Sequence, residues 1–147
     1  MKLDKNLREF IALLNSTKVN YLVVGGHAVA FHGRPRFTGD VDFFVERSAE
    51  NAARLVDVVK AFGFGSVGAK AEDFLQPGMV VQLGRPPNRI DLLTSIDGVE
   101  FADAWRRKVA GDLDGIPVSF IGKQDLLANK RATGRPQDIA DASELEK

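Results

Sequence analysis

The sequence predicts an α/β (α+β) protein, a mixed β-sheet flanked by helices, and three observations carry that reading. Apolar residues at helical spacing open the chain, with Leu3, Leu7, Phe10, Ile11 and Leu14 on one stripe. Short β-branched and aromatic runs such as "YLVVGG" and "DVDFFVE" then recur between helical segments. Residues 122–147 return to helical spacing and form a helical C-terminal segment within one minimal domain, 1–147. Strands and helices in this mixed order argue for one sheet with helices packed against it.

The elements follow from local signals. The opening helix stops near "NSTKVN", and a strand starting at Tyr21 ends at Gly25 and Gly26. "HAVAF" is then a short helix packed against the sheet, and "HGRPRFTG" a polar loop. "DVDFFVE" reads as a central strand, Ser48 caps the helix "AENAARLVDVVKAFGF", and Gly63 closes that helix. The weakly periodic "GSVGAKAEDFLQPG" reads as a loop. "MVVQLG" and "NRIDLLT" are two strands joined around "RPPN", with Pro86 and Pro87 outside the ladder. "DGVEFADAWRRKVA" is a short helix or turn, "GDLDG" a turn, and "IPVSFIG" a strand. Gly134 ends the helix in "KQDLLANKRATG", and Pro136 opens a last one running toward Leu145.

Composition narrows the function classes. Lysine plus arginine and aspartate plus glutamate each number 20, so no overall field draws the chain to nucleic acid, and any such contact rests on a local patch. The absence of cysteine excludes disulfides, thiolate nucleophiles, zinc fingers and iron–sulfur centres, and leaves oxygen ligands for any metal. No run approaches the roughly 18 apolar residues of a membrane span, and charges are scattered through "MKLDKNLREF", so a cytoplasmic protein without membrane contact is expected. "GGHAVAFHG" lacks the glycine spacing of a dinucleotide fold, and no P-loop Gly-Lys-Ser/Thr is present.

The chemistry gathers on three acids. Side chains alternate along a strand, so Asp40 and Asp42 share one face while Val41, Phe43 and Val45 take the other. Paired carboxylates repel, and a divalent cation turns that cost into binding. In "RIDLL", Arg89, Asp91 and Leu93 share a face, so Asp91 completes a three-carboxylate cluster if its strand neighbours the first. Hard oxygen ligands favour Mg2+ or Mn2+, and two such ions about 4 Å apart suit phosphoryl or nucleotidyl transfer. Gly25 and Gly26, where strand meets helix, allow a phosphate to approach backbone N–H groups.

"GGHAVAFHGRPRFTGDVDFFV" together with "RIDLL" resembles the polymerase-beta-type nucleotidyltransferase superfamily, and is closest to its small bacterial members. The resemblance, over residues 20 to 145, implies a nucleotidyltransferase-like fold with two magnesium ions and a nucleoside triphosphate. Asp40 and Asp42 match its metal pair, Asp91 matches the third carboxylate that helps activate the acceptor hydroxyl, and Gly25 with Gly26 match its phosphate-cradling turn. Many relatives have Gly-Ser there; the antibiotic-modifying branch also has Gly-Gly. The tail "KRATGRPQDIADASELE" resembles the Lys…Arg-x-x-Asp-x-x-Asp segment of a subgroup that includes toxin–antitoxin and abortive-infection proteins. In that alignment Lys130 faces the triphosphate, Arg135, Asp138 and Asp141 complete the segment, and Thr38 stands at a hydroxyl position where it binds phosphate or caps the turn.

Arg34 and Arg36 are divided between triphosphate or acceptor contact and plain surface charge. His27 and His32 have no soft-ligand pattern around them and are read as structural, and Phe101 and Trp105, four apart, as cover for the core. The expected activity is transfer of a nucleoside monophosphate from a triphosphate to an acceptor hydroxyl. The acceptor is left open between a small molecule, a transfer RNA and a protein, because only two helices follow the last strand. The alternatives are a non-catalytic nucleotide-binding or interaction component with a partner protein, and a magnesium-dependent phosphohydrolase.

Overall fold

A computed structural model of the chain describes residues 2–33, 39–63, 68–85 and 87–147. It contains a mixed six-stranded sheet and six α-helices among those residues, in agreement with the predicted class. Helix α1 (Lys5–Ser16) is capped by Asp4, whose carboxylate accepts the Asn6 N–H, and it buries Leu7, Phe10, Ile11 and Leu14. Strand β1 (Tyr21–Val24) leads into α2 (Gly25–His32), and β2 (Val41–Val45) into α3 (Ala49–Ala61), where the Ser48 side chain accepts the Asn51 N–H. Strands β3 (Val80–Leu83) and β4 (Ile90–Leu93) precede α4 (Phe101–Arg106), the hairpin β5 (Val109–Leu113) and β6 (Ile116–Phe120), and helices α5 (Lys123–Thr133) and α6 (Pro136–Leu145).

The strand order is β3-β4-β2-β1-β6-β5. β2 is parallel to β4 and antiparallel to β1, β1 is parallel to β6, and both outer pairs are antiparallel. β2 is therefore central, and beyond Asp42 it is covered on both faces. Phe43 packs against Phe10 of α1 and edge-on to Tyr21, at ring separations of 6.0 and 5.4 Å. On the other face Phe44 meets Phe101 of α4 edge-on at 5.1 Å, and Phe101 in turn stacks on Trp105 at 5.6 Å, the core cover expected of that pair. No helix among the described residues is long and apolar enough to cross a membrane.

Two segments differ from the sequence expectation. "GDLDG" is not all turn: Gly111, Asp112 and Leu113 belong to β5, and the reversal is confined to Asp114 and Gly115, at φ 50° and 82°. A two-residue Asp-Gly turn has the twist that continues into flanking strands, whereas a glycine within the run disguises the strand. Gly111 serves packing instead. A Cβ there would lie 2.8 Å from the Phe120 and Phe31 rings, which stack at 4.0 Å and 7°. The second difference is a 3-10 turn, Ala71–Leu75, inside the expected loop, which sends Phe74 into the core; one buried side chain leaves no periodic trace. Residues 64–67 and Pro86 lie outside the described residues, while Pro87 sits in the β3–β4 connection as expected.

The sheet core predicts a sharp contrast in urea unfolding. Phe43→Ala, at a fully buried ring, should cost about 3–5 kcal/mol, and Val80→Ala, at an exposed position on edge strand β3, less than about 0.5 kcal/mol.

Candidate active site

Three adjacent strands bring the candidate residues into one row. In register, Val24 of β1 lies opposite Asp42 of β2, and Asp42 lies opposite Asp91 of β4. The strands carrying Asp42 and Asp91 are thus neighbours, the condition that the three-carboxylate expectation required. Gly25 follows Val24 and begins α2. A Cβ on Gly25 would lie 2.1 Å from Asp42 Oδ2 and 3.0 Å from its Cγ, and the residue has φ +68°. Space for the Asp42 carboxylate and a left-handed entry into the helix both demand glycine there. Val24 supplies no capping side chain, so α2 begins beside Asp42 with its first-turn N–H groups uncapped by a side chain. Gly26 is the second residue of that turn.

Asp40 stands just before β2 and is fixed by the start of β4. The Arg89 N–H donates to Asp40 Oδ1 at 2.7 Å, and the Val41 N–H donates to the Arg89 carbonyl at 3.0 Å. Gly39 makes this approach possible, since a Cβ there would fall 1.8 Å from the Pro87 carbonyl oxygen. Sequence reading passed over Gly39, although a glycine directly before the acid pair was its signal. It also noted Arg89 only as a residue sharing a face with Asp91. Arg89 Nε and Nη2 donate to Asp91 Oδ1 and Oδ2 at 2.8 and 3.1 Å, and Nη2 lies 3.7 Å from Asp40 Oδ2. This is the two-pronged geometry that guanidinium and carboxylate share, and it raises the arginine pKa further.

The electrostatics are those of crowded acids. Asp42 is pushed up to about 7, first by burial, then by the charge and hydrogen bond of Asp91 and the charge of Asp40, with Arg89 opposing. Asp91 is 7 % exposed. Among the described residues no group of three or more His, Cys, Asp or Glu forms a ready-made metal centre. The Arg89 fork engages both oxygens of Asp91, and its backbone N–H engages Asp40. The donor set is oxygen-only, the chemistry that hard divalent cations take, and the Arg89 guanidinium lies between Asp91 and Asp40.

The tail residues form a second cluster. Lys130 of α5 is buried, with Nζ 3.2 Å from Asp138 Oδ1 and 3.4 Å from Asp141 Oδ2 on α6. Arg135 Nε and Thr133 Oγ1 both donate to Asp138 Oδ2 at 2.7 Å. Burial pushes the Asp138 carboxyl up, but the bonds from Arg135, Thr133 and Lys130 outweigh it and bring it to about 2. The expected sharing of a helix face by Asp138 and Asp141 is present, and the basic groups they orient are Lys130 and Arg135. The ion pairs of Lys130 are with these two acids and not with the strand carboxylates. Arg34, Arg36 and Thr38 lie outside the described residues. His32 Nε2 is 2.6 Å from the Ile121 carbonyl oxygen, whereas buried His27, its pKa lowered by burial, has no partner for Nε2 among the described residues.

Two outcomes follow from this geometry. In chelator-treated protein Asp42 holds its proton more tightly folded than unfolded, so its contribution to stability is complete below about pH 4 and is lost as pH rises through about 7. Thermal unfolding should therefore find Asp42→Asn more stable than the parent at pH 8, by on the order of 2–4 kcal/mol, with the gain vanishing toward pH 4. Gly25→Ala should destabilise strongly, and much less in an Asp42→Ala background, where the positive-φ cost of about 1 kcal/mol and a 3.2 Å approach to the remaining Cβ are left; equal costs in both backgrounds would refute the close-approach account.

No curated protein matches the chain in sequence. A family profile described as "Nucleotidyl transferase of unknown function (DUF2204)" matches residues 3–147, a span that holds the strand carboxylates, the α2 entry and the Lys130 cluster alike. The chain therefore belongs to that nucleotidyl transferase family.

Proposed function

We propose that this protein transfers a nucleoside monophosphate from a nucleoside triphosphate to an acceptor hydroxyl in a divalent-cation-dependent reaction that releases pyrophosphate. The observation that carries the reading is the row Val24–Asp42–Asp91 across β1, β2 and β4, which sets two facing carboxylates beside the start of α2. Asp40, Asp42 and Asp91 are the residues that would hold Mg2+ or Mn2+, and the cation would supply charge stabilisation for the phosphoryl oxygens. Gly25 and Gly26 receive the triphosphate on the first-turn N–H groups of α2. Arg36 and Thr38 are the further nucleotide contacts in this reading, and Lys130, paired with Asp138 and Asp141, ties α5 to α6.

Atoms balance simply. The acceptor oxygen bonds to the α-phosphorus, the bond from that phosphorus to the oxygen bridging toward the β-phosphate breaks, and its electron pair leaves on pyrophosphate. The acceptor proton is taken by a carboxylate, the role assigned to Asp91. A small molecule, a transfer RNA and a protein all offer such a hydroxyl.

A second reading, a non-catalytic component that works with a partner protein, draws support from one observation: Asp91 is already neutralised by the Arg89 fork. The experiment that separates the two is incubation of purified protein and cell extract with each labelled triphosphate, followed by mass spectrometry. Transfer of a nucleoside monophosphate should appear and fall at least about 100-fold in Asp42→Asn and Asp91→Asn, a loss on the scale of one key electrostatic group. Glu46→Gln, at the far end of β2 where it accepts from Ser48 and Asn20, should retain it. Nucleotide bound without transfer would favour the second reading, and free phosphate without an acceptor product would mark hydrolysis.

A further inference from the structure

Arg89 touches the candidate site in every way a residue can. Its N–H holds Asp40, its carbonyl pairs with Val41 at the head of β2, and its side chain forks onto Asp91 and reaches toward Asp40. The two kinds of contact differ in permanence. The Val41–Arg89 backbone bond extends the parallel register of β2 and β4, and the Arg89 N–H reaches the Asp40 carboxylate from the same strand start. Among the described residues the guanidinium is held by carboxylates, and its side chain keeps 29 % of its surface in solvent against 10 % for Asp91, so it has an outward path that the aspartate lacks.

A carboxylate whose two oxygens both accept from a guanidinium fork has its best lone pairs occupied. A divalent cation needs those same oxygens at a much shorter distance. Each oxygen keeps a second lone pair, but the guanidinium's positive charge opposes a second cation on the same carboxylate, and the two repel. We propose that Arg89 is the positioning residue that sets the cation affinity of this site, its guanidinium acting as a resident counter-ion that leaves Asp91 when a divalent cation is held. The inference rests on the metal-dependent reading above and deepens it. It makes the fork the reason the three acids coexist in the folded chain, and the exchange of guanidinium for metal the step that turns a closed ion-pair cluster into an open ligand set. Lysine would not serve equally, because its ammonium lacks the planar fork that occupies both oxygens together.

Calorimetric titration of the full, chelator-treated chain with Mn2+ tests this without any turnover. Arg89→Gln keeps the backbone N–H on Asp40 and should bind Mn2+ about tenfold more tightly than the parent, with a matching rise in the Mn2+-induced shift of the unfolding temperature. In an Asp91→Asn background the same substitution should change the affinity little, since the fork has lost its anchor. Should Arg89→Gln unfold, Arg89→Lys replaces it, and a tighter Mn2+ affinity is again expected. Equal or weaker Mn2+ binding in the variant overturns the proposal, as does a gain that persists undiminished with Asp91→Asn, which would mark a general charge effect. Mn2+ binding to the parent with no change in the variant removes this inference alone; no Mn2+ binding by either removes the metal-dependent reading with it.

Discussion

The side-by-side placement of Asp42 and Asp91 on parallel neighbours β2 and β4 is the constraint to which the surrounding structure answers. Two acids at one register position, Asp91 buried and Asp42 half-buried, repel, and burial drives Asp42 toward its neutral form. The fold does not dilute that tension by separating the strands. It surrounds the acids instead with groups of different kinds: a glycine backbone, a backbone N–H and a partly exposed guanidinium.

The glycines answer sterically. Gly25 admits the Asp42 carboxylate against the entry of α2, and Gly39 lets the chain before Asp40 lie on Pro87, so the acids sit where the strands begin and not one residue outward. The guanidinium answers electrostatically, its fork donating to both oxygens of Asp91. Asp42, held toward neutrality, and Asp91, forked by arginine, are thereby accommodated side by side.

Behind the site, α5 and α6 are locked by a different polar device. Lys130 is buried between Asp138 and Asp141, and each of those acids has further donors, Thr133 and Arg135 for one and Gln137 for the other. Buried charges survive only when their remaining hydrogen-bonding capacity is met, and removing one member is far more damaging than its net contribution suggests. α2 ends against this pair of helices, with Gly33 close to Leu145 of α6, so the helix that starts at the carboxylates finishes on the tail. The tail is thereby part of the scaffold of the site and not an appendage to it.

Local patterns were enough to read most of the elements. Helical spacing in α1, α3, α5 and α6, the Ser48 cap and Gly134 as a left-handed terminator depend on residues within a turn or two of one another, and the common face of Asp40 and Asp42 depends only on strand alternation. β5 was lost to an internal glycine whose reason, the stacked Phe31 and Phe120, comes from distant parts of the chain. So does the site. The sequence by itself determined that Asp42 and Asp91 lie on strands, with Asp40 at the entry of one and Arg89 on the face of Asp91. Only the tertiary structure decided that β4 inserts between β3 and β2, so that Asp91 meets Asp42, the guanidinium reaches Asp40, and Gly25 makes room for a carboxylate. Strand alternation is a property of neighbouring peptide units, whereas strand order is settled by which buried faces pack together across the whole chain.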